Sequence, residues 1–361
     1  MKKLTIYLSA IILLLLTISC LKEGELKQPY KGYQPADISD GWVLSDPQSE
    51  NIDPIALDQI YKDVYADDEM WMTKSLLVFR NGKLVAESYL KTDEDRTRRD
   101  AIWSCTKQIN GIITGIAIDQ GYVNSVTDSI GVYLPDNISR HPDKAGITLE
   151  MLLMMKSGSS FDNGTQSDIF REHKTDNSIE YVLGLPLAHE PGTTYWYNDG
   201  DPQLVSAIIN VATGKTLADY GKEVFLDKIG FTNYEWYDYS DGLTLGAFGI
   251  LTTPREMAKV AQCVLDGGKW NNEQVIPEAW VATMLTSMTQ TDYLSWFGYY
   301  WWSIPDKSYH YMAGHGGQYA FLLHEKDLMV VVTSLVQVDD DVNIPLEKIV
   351  DIVDRVVAAA E

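Results

Sequence analysis

Three stretches of the chain place a serine three residues ahead of a lysine: Ser19 with Lys22, Ser88 with Lys91, and Ser104 with Lys107. A serine hydroxyl becomes a nucleophile when a neighbouring group takes its proton, and a lysine three residues on is beside it only on a helix. Context separates the three pairs. The first straddles the end of an N-terminal apolar run. The second lies in a strand-like run, where residues i and i+3 point to opposite faces. Only Ser104-Cys105-Thr106-Lys107 opens a helical pattern, with Ile109, Ile112, Ile113 and Ile116 as its apolar stripe. The Ser104 side continues through Gln108, Gly111 and Gly115. Each interior glycine costs about 1 kcal/mol relative to alanine, so two on one side mark the close approach of another element. A helix N-terminus also offers free N–H groups and a positive dipole end to an oxyanion. Other chemistries lack their residues. There is no GxSxG or HExxH, and Gly214-Lys215-Thr216 has Ile209 where a phosphate loop needs glycine.

The elements that must position Ser104 come from both ends of the chain. Ile55, Leu57, Ile60, Tyr61 and Val64 predict a helix between Ile52 and Asp68. Ser75 to Arg80 and Lys83 to Leu90 read as strands joined by Asn81-Gly82, a dipeptide suited to a tight hairpin. Near the other end, Tyr309 to Ala313, Gln318 to His324 and Leu328 to Leu335 read as strands, followed by an amphipathic helix from Pro345 to Ala360. Residues from about 122 to 290 are mostly helical in pattern. The fold class is therefore α/β in the α+β sense: an antiparallel sheet built from both chain ends and flanked by helices, with an inserted helical lobe. A cleft between the two is the expected site.

Composition narrows the class. The chain has 361 residues, 45% of them apolar, with 10 Trp and 21 Tyr, ample for a large core. Its formal charge of −22 is dispersed, so a phosphate backbone is repelled and nucleic acid is excluded as a partner. Three cysteines and no His/Cys cluster predict neither a disulfide framework nor a structural metal. Lys2-Lys3, an apolar run from Leu4 to Ile18 and Ser19-Cys20 have the layout of a secretory signal. Cys20 occupies the acylated position of a lipoprotein leader, with Thr17 where leucine is usual, and predicts a bacterial membrane-anchored protein facing the periplasm or cell surface. The expected division is a signal over 1–20, a tether over 21–40 and a folded domain over 41–361.

Ala101-Ile102-Trp103-Ser104-Cys105-Thr106-Lys107, Gly121-Tyr122 through Tyr133-Leu134-Pro135, Ile147 to Gly158, Pro191-Gly192-Thr193, Leu251 to Gly268 with Trp270-Asn271, and Gly314 to Gln318 resemble successive landmarks of one family. It is the β-lactamase-related serine hydrolases, which include class C β-lactamases, penicillin-binding proteins, esterases and 6-aminohexanoate-dimer hydrolases. The similarity spans roughly residues 50 to 355. It implies an α/β sandwich with a helical lobe, no cofactor, and an acyl-enzyme on the nucleophile, with a small molecule or short peptide as substrate.

The resemblance assigns three elements. Ser104 with Lys107 is the first. The second is Tyr197-Asn198-Asp199, in which Tyr197 exchanges the Ser104 proton; Tyr122-Val123-Asn124 matches the family's letters but follows the nucleophile helix directly. Asp199 stands where the family has an asparagine, and it favours an ammonium on Lys107 while being unable to donate to a substrate carbonyl. The third is His315-Gly316-Gly317 with Gln318, replacing a Lys-Thr-Gly, and the N–H groups of Gln318 and Ser104 are the implied oxyanion hole. Asp199 in the second element and His315 in the third rank substrates in the order small amide, short-chain ester, D-amino-acid peptide (as for a D-alanyl-D-alanine carboxypeptidase), β-lactam. A catalytically weak cell-wall peptide binding protein is the alternative from another class. Among the remaining residues, Cys105 falls on the core stripe, Cys105 and Cys263 read as small buried thiols, Arg96, Arg98 and Arg99 as a solvated loop, Trp296 to Trp302 as sheet core with a ring or two reaching the cleft, and Asp339-Asp340-Asp341 as a turn and cap.

Overall fold

Runs that alternate apolar residues at both ends of a chain can bury one face only by pairing with each other, and here they do. The structure, a computed structural model, describes residues 26–286, 288–292, 294–336 and 343–360. Among these, the large sheet has nine strands: β1 (Val43–Leu44), β2 (Thr73–Arg80), β3 (Lys83–Tyr89), β4 (Thr289–Gln290), β5 (Trp296–Gly298), β6 (Trp301–Ile304), β7 (Tyr309–Gly314), β8 (Gln318–Leu323) and β9 (Leu328–Ser334). Their order is β1-β3-β2-β9-β8-β7-β6-β5-β4. The two chain ends meet where β9 pairs antiparallel with β2, Val330 opposite Val78. Asn81 and Gly82 take φ of 52° and 69°, as the expected hairpin turn requires.

The period of two divides the side chains between two cores. Leu76, Val78, Phe321, Val330 and Val332 face a layer made by α1 (Pro54–Ala66) and α7 (Leu346–Ala359). Leu77, Phe79, Ala320, Met329 and Val331 face the opposite way, onto Ile109, Ile112 and Ile113 of α2 (Cys105–Asp119). Asp53 caps α1 by accepting from the N–H groups of Ile55 and Ala56 at 2.8 and 3.2 Å. Leu57, Ile60, Tyr61 and Val64 are buried as the pattern predicts, but Ile55 is 81% exposed, because it lies off the stripe the other four define.

Beyond α2 the lobe contributes α3 (Asn163–Arg171), α4 (Gly200–Thr213), α5 (Pro254–Leu265) and α6 (Glu278–Met284), with shorter helical turns between them. It also holds a small sheet of Asp100–Ala101, Ile250–Thr252 and Tyr234–Trp236 that the helical reading did not anticipate. Strands of two or three residues are too short to display alternation.

The expectation of a free tether over 21–40 is corrected for its described part. Residues 26–40 form a strap held against the domain. The Lys27 ammonium donates to the carbonyls of Val64, Tyr65 and Asp67 at the C-terminal end of α1, at 2.8, 3.2 and 2.5 Å. The Glu87 N–H donates to Tyr33 O at 2.8 Å. Buried Arg255 is bidentate to Glu87 at 2.9 and 2.8 Å and also grips Asp40 and the carbonyl of Ala36. A lone polar stretch gave no signal of this, because the partners lie from 37 to 219 residues away in the chain. Cys20 and Asp339-Asp340-Asp341 lie outside the described residues. Cys105 and Cys263 are separate, buried free thiols, as expected.

Candidate active site

Ser104 sits at the N-cap of α2, immediately after Trp103, whose φ is +49°. A tryptophan in the left-handed region costs roughly 1–3 kcal/mol and persists only where its surroundings hold it. One turn into the helix, Lys107 is 1% exposed, and its three N–H donors are all engaged: with Ser104 Oγ at 2.8 Å, Asp199 Oδ1 at 2.7 Å and the carbonyl of Ala247 at 3.0 Å. The glycine side of α2 is occupied as its sequence predicts. A Cβ on Gly115 would lie 2.1 Å from the Trp280 ring, and one on Gly111 would meet Tyr299 O at 3.2 Å. Trp280 Nε1 also donates to Gly111 O at 3.0 Å, so the helix is fixed from behind.

Tyr197 reaches the same point from the loop ahead of α4. Its ring lies against Lys107, whose ammonium is 4.9 Å from the ring centroid, and the lysine charge acts on its phenol. Tyr122-Val123-Asn124 lies elsewhere, at the far end of α2, with the Asn124 N–H on Tyr133 Oη at 3.0 Å. Burial pulls the Lys107 ammonium down, but the charge and hydrogen bond of Asp199, with Tyr197, outweigh it and hold it above the ordinary lysine range. Burial raises the Tyr197 phenol more than Lys107 lowers it, so it too stays protonated near neutrality. The resting group is thus ammonium, carboxylate and two neutral hydroxyls. Activation of Ser104 then requires Lys107 and Tyr197 to share one proton fewer, the shared-proton arrangement rather than a standing phenolate.

The third element is placed differently from the expectation. Ala313, Gly314 and His315 line the cleft, at the end of β7, while Gly316, Gly317 and Gln318 do not. A Cβ on Gly314 would lie 2.3 Å from Ile102 O and 3.3 Å from Cys105 Sγ, so a bare backbone is what lets β7 press against the nucleophile turn. Gly316 and Gly317 turn away, packing near Val336, Ser334 and Ile344. Gln318 is buried, its amide bonded to the backbone of Ser334 at 2.8 and 3.2 Å. The glycine pair therefore serves the β7–β8 turn, not the approach of a ligand.

The cleft encloses about 500 Å³. Trp103, Tyr197, Phe248 and Trp302 give it aromatic walls, and Asn163, Gly164, Ser167, Asp168 and Arg171 line it from one face of α3. Trp302 is the ring that the aromatic run 296–302 contributes; Phe297, Tyr300 and Trp301 are core. None of the α3 residues was anticipated. Asn163, Ser167 and Arg171 follow a spacing of four, the one available signal, but a polar face on a short helix usually means solvent. Ser167 Oγ donates to Asp199 Oδ2 at 2.5 Å, and the Asp199 N–H donates to Asn163 Oδ1 at 2.9 Å. Arg171 pairs with Asp168, and its guanidinium lies 5.9 Å from the Trp103 ring, which meets His315 edge-on at 5.5 Å. Asp201, fully buried in the first turn of α4, is also new, and burial raises its carboxyl to about 7. Arg96, Arg98 and Arg99 are committed to Glu87, Asp95 and Glu235 at 3.0, 2.5 and 2.9 Å and do not line the cleft.

Comparison with known proteins adds the following. A family model described as Beta-lactamase matches residues 73–350. "Protein flp" from Staphylococcus aureus (strain NCTC 8325 / PS 47) is 23% identical over 168 residues, 44% of this chain and 34% of that protein. The chain thus spans about a third of the length of the curated relatives it matches. Solved structures of similar fold include a Bacillus anthracis protein provisionally titled a 6-aminohexanoate-dimer hydrolase, with TM-score 0.70 at 17% identity over 92% of this chain and 90% of that one. A Bacteroides dorei DSM 17855 protein provisionally titled a beta-lactamase gives 0.69 at 17%, over 85% and 99%. EstCE1, a hydrolase with promiscuous acyltransferase activity, gives 0.63 at 15%, over 78% and 93%.

Proposed function

The chain belongs to the β-lactamase family, and from that premise we propose that it is an exported serine hydrolase that cleaves a small amide or ester through an acyl-enzyme on Ser104. The observation that carries this reading is the 2.8 Å contact of Lys107 Nζ with Ser104 Oγ inside a cleft that Tyr197 also enters. As Ser104 Oγ bonds to the acyl carbon, its proton passes to the Lys107–Tyr197 pair and from there to the departing amine or alcohol. Water then repeats the steps in reverse order and releases the acid. The oxyanion sits at the N-terminus of α2, with the N–H groups of Ser104 and His315 as its donors. His315 takes the place first given to Gln318, because it borders the cleft and Gln318 does not.

Aromatic walls and a third element without lysine or threonine favour an apolar acyl group over a carboxylate-bearing β-lactam. Amides and short esters therefore rank first, ahead of D-amino-acid peptides. Acylation at Cys20 would keep the enzyme on the membrane; each buried CH₂ contributes about 0.8 kcal/mol to such an anchor. The binding-protein reading has one observation in its favour: Asp199, which stands where the family has an asparagine, pairs with Lys107 at 2.7 Å and favours its ammonium form.

Intact-mass spectrometry of residues 21–361 after a fluorophosphonate, and separately after a penicillin, separates these readings. The expected result is a fluorophosphonate adduct mapped to Ser104 with no stable penicillin adduct. Stable adducts with both would indicate a penicillin-binding peptidase, and none with either across pH 6 to 10 would leave the binding protein.

A further inference from the structure

Asp199 is committed to the protein on both carboxylate oxygens. Oδ1 accepts from Lys107 at 2.7 Å and Oδ2 from the Ser167 hydroxyl at 2.5 Å, while its N–H is taken by Asn163 Oδ1 at 2.9 Å. Two of these three partners belong to α3, the helix that walls the cleft opposite the sheet. A carboxylate used this way joins two pieces of the molecule: the lysine of the nucleophile helix and a serine of the lobe. Lys107 is 1% exposed, Asp199 7% and Ser167 7%, so little water competes for these contacts.

We propose that Ser167 is a positioning residue: through Asp199 it sets how firmly Lys107 is held, and thereby the pH at which Ser104 becomes a nucleophile. This rests on the acyl-enzyme reading above. The argument is one of charge. The carboxylate favours the ammonium on Lys107 by attraction across 2.7 Å. A hydroxyl donating to the same carboxylate draws part of its charge away, so Ser167 weakens the hold that Asp199 exerts. The cluster of Ser104, Lys107, Tyr197 and Asp199 is neutral at rest and must lose one proton to solvent before attack. Ser104 then gives its own proton to the Lys107–Tyr197 pair, which delivers it to the leaving group. The other titratable and charged groups around the Lys107–Tyr197 pair are Asp168 and Arg171 from α3, His315 from the end of β7 and, one layer deeper, Cys105, Tyr195, Asp201 and Tyr300. None but Ser167 is seen donating to Asp199 from the lobe, among the described residues.

Two substitutions then act in opposite directions, which a purely structural role for Ser167 would not produce. Asp199→Asn keeps the shape and removes the negative charge, so Lys107 gives up its proton more easily and the acid limb moves down, by about one pH unit or more. Ser167→Ala leaves the carboxylate with its full charge on Lys107, so the limb moves up by a few tenths of a unit. Ser167→Thr keeps a hydroxyl and returns the limb toward the wild-type position. The measurement is the second-order rate at which a fluorophosphonate labels Ser104, followed from pH 5 to 10 in the whole protein, with thermal melts to confirm folding. In each case an Oγ–P bond forms, fluoride leaves and the serine proton enters the cluster, so no substrate need be known. Opposite shifts, with recovery in the threonine variant, support the proposal. Coincident acid limbs for wild type and Ser167→Ala, or a shift of Ser167→Ala in the same direction as Asp199→Asn, overturn it. Wild type that labels at no pH would instead sink the acyl-enzyme reading itself.

Discussion

The two walls of the cleft are built to different standards. On the sheet side, α2 is pinned by Trp280 against Gly115, by the Tyr299–Tyr300 turn against Gly111, and by the bare backbone of Gly314 against Ile102. On the lobe side, α3 buries only Ser167 and Phe170, and its cleft face is polar. Ser104 and Lys107 thus stand on rigid ground, while the α3 wall, apart from its grip on Asp199 through Ser167 and Asn163, is lightly packed. Positional accuracy is needed where bonds change, since displacement of about 1 Å there can cost roughly a hundredfold in rate. Residues that merely select a substrate tolerate more.

That contrast can be broken in a graded way. Ser104→Ala removes the nucleophile without disturbing packing, and turnover should fall by about 10³-fold or more while the melting temperature stays within a degree or two of wild type. Esterase assays beside calorimetry check this, and retained turnover would refute the mechanism. Gly115→Val forces a side chain into the space of the Trp280 ring and should destabilise by about 1–3 kcal/mol, visible in urea denaturation. Its activity should drop with its stability, because α2 carries Ser104; an unchanged stability would show that the sheet-side wall is looser than its contacts suggest. Arg171→Ala, on the other wall, should raise KM for an anionic ester a few-fold and leave kcat near wild type, the signature of binding lost equally from ground and transition states. A large fall in kcat would place α3 among the rigid parts and dissolve the distinction.

The same contrast explains what was legible in the sequence. The long strands β2, β3, β7, β8 and β9, both flanking helices and the choice of Ser104 with Lys107 could be read, because local periodicity and two glycines on one helix face encode them. Tyr197 and Asp199 needed a family pattern, since they lie about 90 residues from Lys107 and only the fold joins them. The third element was placed one turn too late: His315-Gly316-Gly317-Gln318 has the right composition, but the chain bends at Gly316, and only Ala313 to His315 reach the cleft. Ser167 and Arg171 were invisible for a simpler reason. A serine and an arginine on a short polar helix look like any solvated surface until the carboxylate and indole they meet are in place.

The strap of residues 26–40 has a mechanical consequence. It is fastened to the end of α1, to β3 and to Arg255, whereas Ser104, Lys107 and Tyr197 stand on the other face of the sheet and in the lobe. Force applied to the chain ahead of residue 26 would load the ion pairs of Arg255 and the carbonyls capped by Lys27 before Ser104, Lys107 or Tyr197, so the strap would act as a strain relief that shields the cleft from a pull on that end.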